Sequence, residues 1–137
     1  MTVRILVIDD NPVDRRLMRE AIERLAAEGR CAVTFDEAGD GGEGTTALGS
    51  HPDLVLCDMG MPALGRDGTP IPSGSDVMRR ATAEGARVVA VSGSGLGGAR
   101  PLAVTAFVAK GPSMLGGLRA EVYDMLGLAP RGLAHAG

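Results

Sequence analysis

The chain has 137 residues, enough for one domain of ordinary size built on a central sheet and too few for a second full domain. A formal charge of -3, a pI near 5.3 and the absence of any basic run argue against a nucleic-acid partner, because that affinity comes largely from neutralising phosphates with Lys and Arg. Cys31 and Cys57 are too few for a disulfide framework, which fits a reducing compartment, and the start of the chain runs straight into an apolar stretch closed by two aspartates. Neither a secretory signal nor a membrane span tolerates that pattern, so the expectation is a cytoplasmic protein with no membrane contact.

Residues 3–8 form the first apolar run, short, rich in β-branched side chains and bounded by polar ones, as in a strand buried on both faces. Asn11 and Pro12 then supply an N-cap and a first-turn proline, and Val13, Leu17, Met18, Ala21, Ile22 and Leu25 recur at helical spacing. Val33, Thr34 and Phe35 carry the β preference of a second, weaker strand over residues 32–35, with Gly39 marking the break. Glycine is dense enough over residues 41–49 to make any helix there weak or brief.

The third strand falls at residues 54–57, followed by a shorter helix over 75–84 and a fourth strand over 88–91. Residues 93–104 are again glycine-rich, with any helix weak or brief, and residues 106–109 make the fifth strand. Leu115, Leu118, Val122, Met125 and Leu126 form the stripe of a last helix, with Ser113 placed to cap it and Gly127 to end it. The domain is placed at residues 1–127, with 128–137 a flexible C-terminal tail.

Strands alternating with helices imply parallel strands joined by right-handed crossovers, hence an α/β fold with a doubly wound five-stranded parallel sheet. Ligands in such sheets sit outside the carboxyl ends of the strands. There the first strand ends in Asp9 and Asp10, the third in Asp58, the fourth in Ser92 and the fifth in Lys110. Acids crowded in this way raise one another's pKa unless a hard cation with oxygen ligands neutralises them, and Mg²⁺ is the natural candidate. A carboxylate can attack phosphorus when a metal and a cationic side chain offset the charge of the transferring group, so Asp58 with Lys110 and Mg²⁺ supplies the parts for phosphoryl transfer.

Singly these residues have ordinary explanations: acids favour a helix N-terminus, and Asp58 and Lys110 could be a turn residue and a solvated strand end. Jointly those explanations fail, because the right chemistry closes four separate strands in order. Other motifs are weaker. The stretch Gly93-Ser94-Gly95-Leu96-Gly97-Gly98 matches a dinucleotide fingerprint in letters but follows the fourth strand and lacks a paired acidic strand end. The glycines around residues 39–45 lack the lysine of a phosphate loop, and His51 and His135 show no metal-ligand spacing.

The motifs Ile8-Asp9-Asp10-Asn11, Leu56-Cys57-Asp58-Met59-Gly60-Met61-Pro62, Val91-Ser92-Gly93 and Phe107-Val108-Ala109-Lys110 resemble those of response-regulator receiver domains, over nearly the whole of residues 3–126. The resemblance implies a CheY-like, flavodoxin-like (βα)5 fold with strand order 2-1-3-4-5, in a stand-alone domain of a bacterial two-component system. It implies Asp58 as phosphoacceptor; Asp10 as a direct ligand of Mg²⁺ (or Mn²⁺), Asp9 as an outer one and the Gly60 carbonyl as a further one; and Lys110 as the phosphoryl partner. Ser92 would turn toward the phosphoryl group and Phe107 would follow it as the switch. A sensor histidine kinase or a histidine phosphotransfer protein would be the donor, and a downstream protein the target. Such a chain assists its own phosphotransfer without being a multiple-turnover enzyme.

The sequence departs from this pattern in several places. Residues 63–73 insert a loop beside the phosphorylation site, for which a partner-selecting role is the hypothesis. Phe107 lacks the hydroxyl of the commoner tyrosine, and Gly111 stands where a proline usually follows the lysine. Competing functions are a receiver-like scaffold that works without phosphorylation, and a phosphatase with an aspartyl-phosphate intermediate. The intact acidic set opposes the first; Gly60, standing where the second usually places another Asp, opposes the other.

Overall fold

Alternate positions along the strands divide the core into two halves, one on each side of a sheet. The computed structural model describes residues 2–93 and 106–128. Strands β1 (Thr2–Ile8), β2 (Ala32–Ala38), β3 (Leu54–Asp58), β4 (Arg87–Ser92) and β5 (Ala106–Ala109) pair in parallel in the order β2-β1-β3-β4-β5. Val3, Ile5, Val7, Leu54, Leu56, Val89, Val91 and Val108 pack with α1 (Pro12–Glu28) and α4 (Met114–Val122). The intervening Leu6, Ile8, Val55, Cys57, Val88 and Ala90 pack on the other side, where α3 (Gly74–Ala83) contributes Val77, Met78 and Ala81. A strand must be apolar at every position to serve two such layers, which is why these runs lack alternation.

Helix α1 begins where the sequence places it: the Asn11 side chain accepts from the Val13 and Asp14 N–H groups, and Pro12 opens the first turn. Met18, Ala21, Ile22, Leu25 and Ala26 form its buried stripe. The glycine-rich segment after β2 folds as a brief helix α2 (Gly41–Ala47), capped by the Asp40 side chain and followed by a 3-10 turn at Leu48–Ser50. Of the glycine-rich stretch between β4 and β5, where any helix is expected to be weak or brief, residues 94–105 lie outside the described residues, as does the tail from residue 129. Among the described residues no helix is long and apolar enough to cross a membrane.

Several boundaries differ from expectation. β2 runs on to Ala38 rather than stopping at Phe35, because its ladder with β1 continues to the pair Ile8 and Ala38 and overrides the weak β preference of Asp36 and Glu37. β3 and β4 take in Asp58 and Ser92, so those side chains are held by strand pairing. Ser113 precedes α4 but makes no side-chain cap bond, since its backbone (φ -87°, ψ -3°) is already helical rather than extended. Leu128 is half-buried against the core, just past Gly127 with its φ of 78°.

The insertion at residues 63–73 has more order than a plain loop. Gly65 N–H donates to the Thr69 carbonyl at 2.8 Å and Ile71 N–H to that of Ala63 at 3.0 Å, which makes a minimal hairpin with Leu64 bridged to Pro70. Its last residue, Ser73, forms a capping box with Asp76 that starts α3. A Cβ on Gly41 would stand 1.7 Å from the Pro72 carbonyl oxygen, so the insertion lies against the start of α2 where only glycine fits.

Candidate functional site

Strand register builds the site. The pairing of Ile8 with Cys57 carries the following residues, Asp9 and Asp58, side by side at the point where the strand order reverses. Asp9, Asp58 and Lys110 continue the parity of Val7, Leu56 and Val108, and so emerge on the side of the sheet that carries α1. Ser92 continues the parity of Val88 and Ala90, and Phe107, register partner of Ala90, packs half-buried on that same opposite face.

Asp9 is fully buried. Its Oδ1 accepts from the Asn11 N–H at 2.9 Å, and its Oδ2 faces Lys110 Nζ at 2.8 Å. Lys110 Nζ also lies 3.0 Å from Asp14 Oδ2 and 3.4 Å from Asp58 Oδ1, so one ammonium stands among three carboxylates. Its backbone N–H donates to the Ser92 carbonyl at 2.8 Å, and the Lys110 side chain runs past Gly93. Arg15 donates to the Asp9 carbonyl at 2.6 Å and pairs with Glu37, tying the end of β1 to α1 and β2. Beneath Asp58, a Cβ on Gly74 would stand 2.9 Å from the Asp58 carbonyl oxygen; glycine at the start of α3 is what lets the helix approach the strand end. Gly60 lies beside the Asp58 carboxylate, its Cβ position 3.7 Å from Oδ2.

The electrostatics follow from burial and proximity. Burial raises the Asp9 carboxyl above its ordinary range, with Asp58 adding to the rise and Lys110 and the Asn11 N–H opposing it. Burial works against the charged form of Lys110, but its bonds to Asp9 and Asp14 and the charges of Asp58 and Asp9 outweigh that and raise it above the usual lysine range. Cys57, buried and next to both acids, is pushed up to about 12 and is an inert thiol.

Asp9, Asp10 and Asp58 each bring a carboxylate oxygen within 4.8 Å of the others, with Asp10 exposed at the mouth. Clustered hard oxygen donors, one in a buried carboxyl that burial leaves poorly solvated, suit a small divalent cation such as Mg²⁺. The structure therefore brings together Asp9, Asp10, Asp58 and Lys110 as the sequence predicts, sets Gly60 beside Asp58 and binds the Ser92 backbone to Lys110. Phe107 stands apart from the acids, on the other face. Asp14 and Arg15 were not foreseen: each reads locally as a charged residue of an exposed first turn, and nothing near them in sequence signals a contact with Lys110 or Asp9.

The parallel order with an acidic switch point defines a doubly wound, flavodoxin-like α/β protein. No family model and no curated protein matches the chain. Solved structures do. The receiver domain of AraT, a response regulator from Geobacillus stearothermophilus, is 25% identical with a TM-score of 0.66, over 92% of this chain and 94% of that one. The receiver domain of the response regulator NarL from Mycobacterium tuberculosis is 25% identical with a TM-score of 0.62, over 91% and 96%. A receiver protein from Pseudomonas putida is 24% identical with a TM-score of 0.60, over 90% and 98%. The chain has the CheY-like receiver-domain fold of response regulators.

Proposed function

We propose that the chain is a single-domain response regulator that takes a phosphoryl group on Asp58 from a sensor histidine kinase or a histidine phosphotransfer protein and thereby switches its binding to a downstream protein. The observation that carries this is the Asp58 carboxylate at the end of β3, with Lys110 Nζ 3.4 Å away and the carboxylates of Asp9 and Asp10 beside it. The acidic composition supports a protein rather than a nucleic acid as the target, and the free thiols of Cys31 and Cys57 fit a reducing, cytoplasmic setting.

An Asp58 oxygen attacks the phosphorus of the donor; the new O–P bond forms as the N–P bond breaks, and the leaving imidazole takes up a proton. Asp9, Asp10, Asp58 and the Gly60 carbonyl would hold Mg²⁺ or Mn²⁺, which when bound offsets the charge on the transferring oxygens. Lys110 supplies the second positive charge and pairs with the phosphoryl group once it is in place. The Ser92 hydroxyl then bonds a phosphoryl oxygen, and Phe107, two residues from it across the β4–β5 register, moves in its wake. A single new charge with its hydrogen bonds thus biases an element on the far face of the sheet.

Incubation with a small phosphoryl donor and Mg²⁺ tests this. The expected result is a labile mass increment of one phosphoryl group on Asp58 that vanishes in Asp58→Asn. A protein that stays unmodified would be a scaffold; repeated turnover of a phosphoester would make it a phosphatase.

A further inference from the structure

Lys110 is bound by an acid that phosphoryl transfer does not call for. Its Nζ lies 3.0 Å from Asp14 Oδ2 in a direct hydrogen bond, nearer than the 3.4 Å to Asp58. Asp14 belongs to the first turn of α1, where a free carboxylate would simply complement the helix dipole. Instead it reaches a residue 96 positions along the chain. The side chains of Lys110 and Asp14 retain only 20% and 31% of their exposure, so salt screens the pair less than it would a surface pair.

The geometry points to Asp14 as a positioning residue that anchors Lys110 on the α1 side of the rim and so restrains its movement onto a phosphoryl group at Asp58. An ammonium has three donors, and here it faces three carboxylates, of which Asp58 is the farthest. A cation bound by Asp9 and Asp58 competes with Lys110 for those two, whereas Asp14 stands outside that set of ligands and keeps its hold. To meet phosphoryl oxygens beyond Asp58, Lys110 has to lengthen or break its bond to Asp14. The anchor therefore opposes both the transition state and the phosphorylated state, and its removal favours both. This inference rests on the phosphoacceptor reading of Asp58.

The test is the rate at which a small phosphoryl donor modifies Asp58 in five proteins: the parent chain, Asp14→Ala, Asp14→Glu, Lys110→Met, and Asp14→Ala combined with Lys110→Met. Alanine suits a helical turn, and a thermal melt of each variant checks that it is folded. We expect Asp14→Ala to react roughly threefold faster or more, within the range of coupling between contacting charged residues. Asp14→Glu should return toward the parent rate. In the Lys110→Met background the alanine substitution should have no effect, since no ammonium remains to be released. An Asp14→Ala rate equal to or below the parent's, or an acceleration that persists without Lys110, overturns the anchor while leaving Asp58 as acceptor. A parent chain that never acquires the phosphoryl group overturns the underlying reading itself.

Discussion

Asp9 shows how one residue serves the site at a cost to the fold. It is buried, its carboxyl is raised by desolvation, and among the described residues Lys110 and the Asn11 N–H offset the burial of its charge. Because the folded state holds the Asp9 proton more tightly than the unfolded state does, the contribution of this group is most favourable below its ordinary value of 3.8 and declines as pH rises from there through the raised folded value. Asp9→Asn removes that decline. In metal-free buffer, denaturation midpoints followed from acid to neutral pH should show the variant gaining stability relative to the parent as pH rises across this window; a constant difference would contradict the assignment. At this scale the sequence was legible wherever a residue closes a strand, because strand ends of known polarity converge. Asp14 and Arg15 were not, since the partners of a helical residue depend on how its helix is set against the sheet.

At the scale of elements, apolar runs and caps located all five strands and the longer helices, whereas boundaries moved where tertiary pairing prevailed over propensity, as in the extension of β2 to Ala38. Ser113 failed as a cap for a backbone reason that composition does not carry. The insertion is the most individual element. Its hairpin bonds, the Ser73 and Asp76 capping box and the contact of Pro72 with Gly41 give it a defined place between α2 and α3. Gly41→Ala, which puts a methyl against the Pro72 carbonyl, should lower stability by about 1–3 kcal/mol as overpacking does, read as a fall in the denaturation midpoint. If the insertion selects the partner, the same substitution slows phosphorylation by the cognate kinase more than by a small donor. Equal effects on both donors would leave the hairpin a purely structural role.

For the whole molecule, the fold class followed from the alternation of strands and helices, whereas the strand order came only through the resemblance to receiver domains, because parallel strands with right-handed crossovers narrow the arrangements without choosing one. The concentration of charge at one rim follows in turn: strands that start together also end together, and the acids that end them collect where the sheet reverses its order. The account stands on that rim being a cation site. Titration calorimetry at neutral pH tests this most directly. The account predicts uptake of one Mg²⁺ per chain at millimolar concentration, abolished or strongly weakened in Asp10→Asn and Asp58→Asn, with Mg²⁺ at about ten times its dissociation constant raising stability by about 1.4 kcal/mol. No uptake at that concentration, or uptake that both variants retain in full, would contradict it.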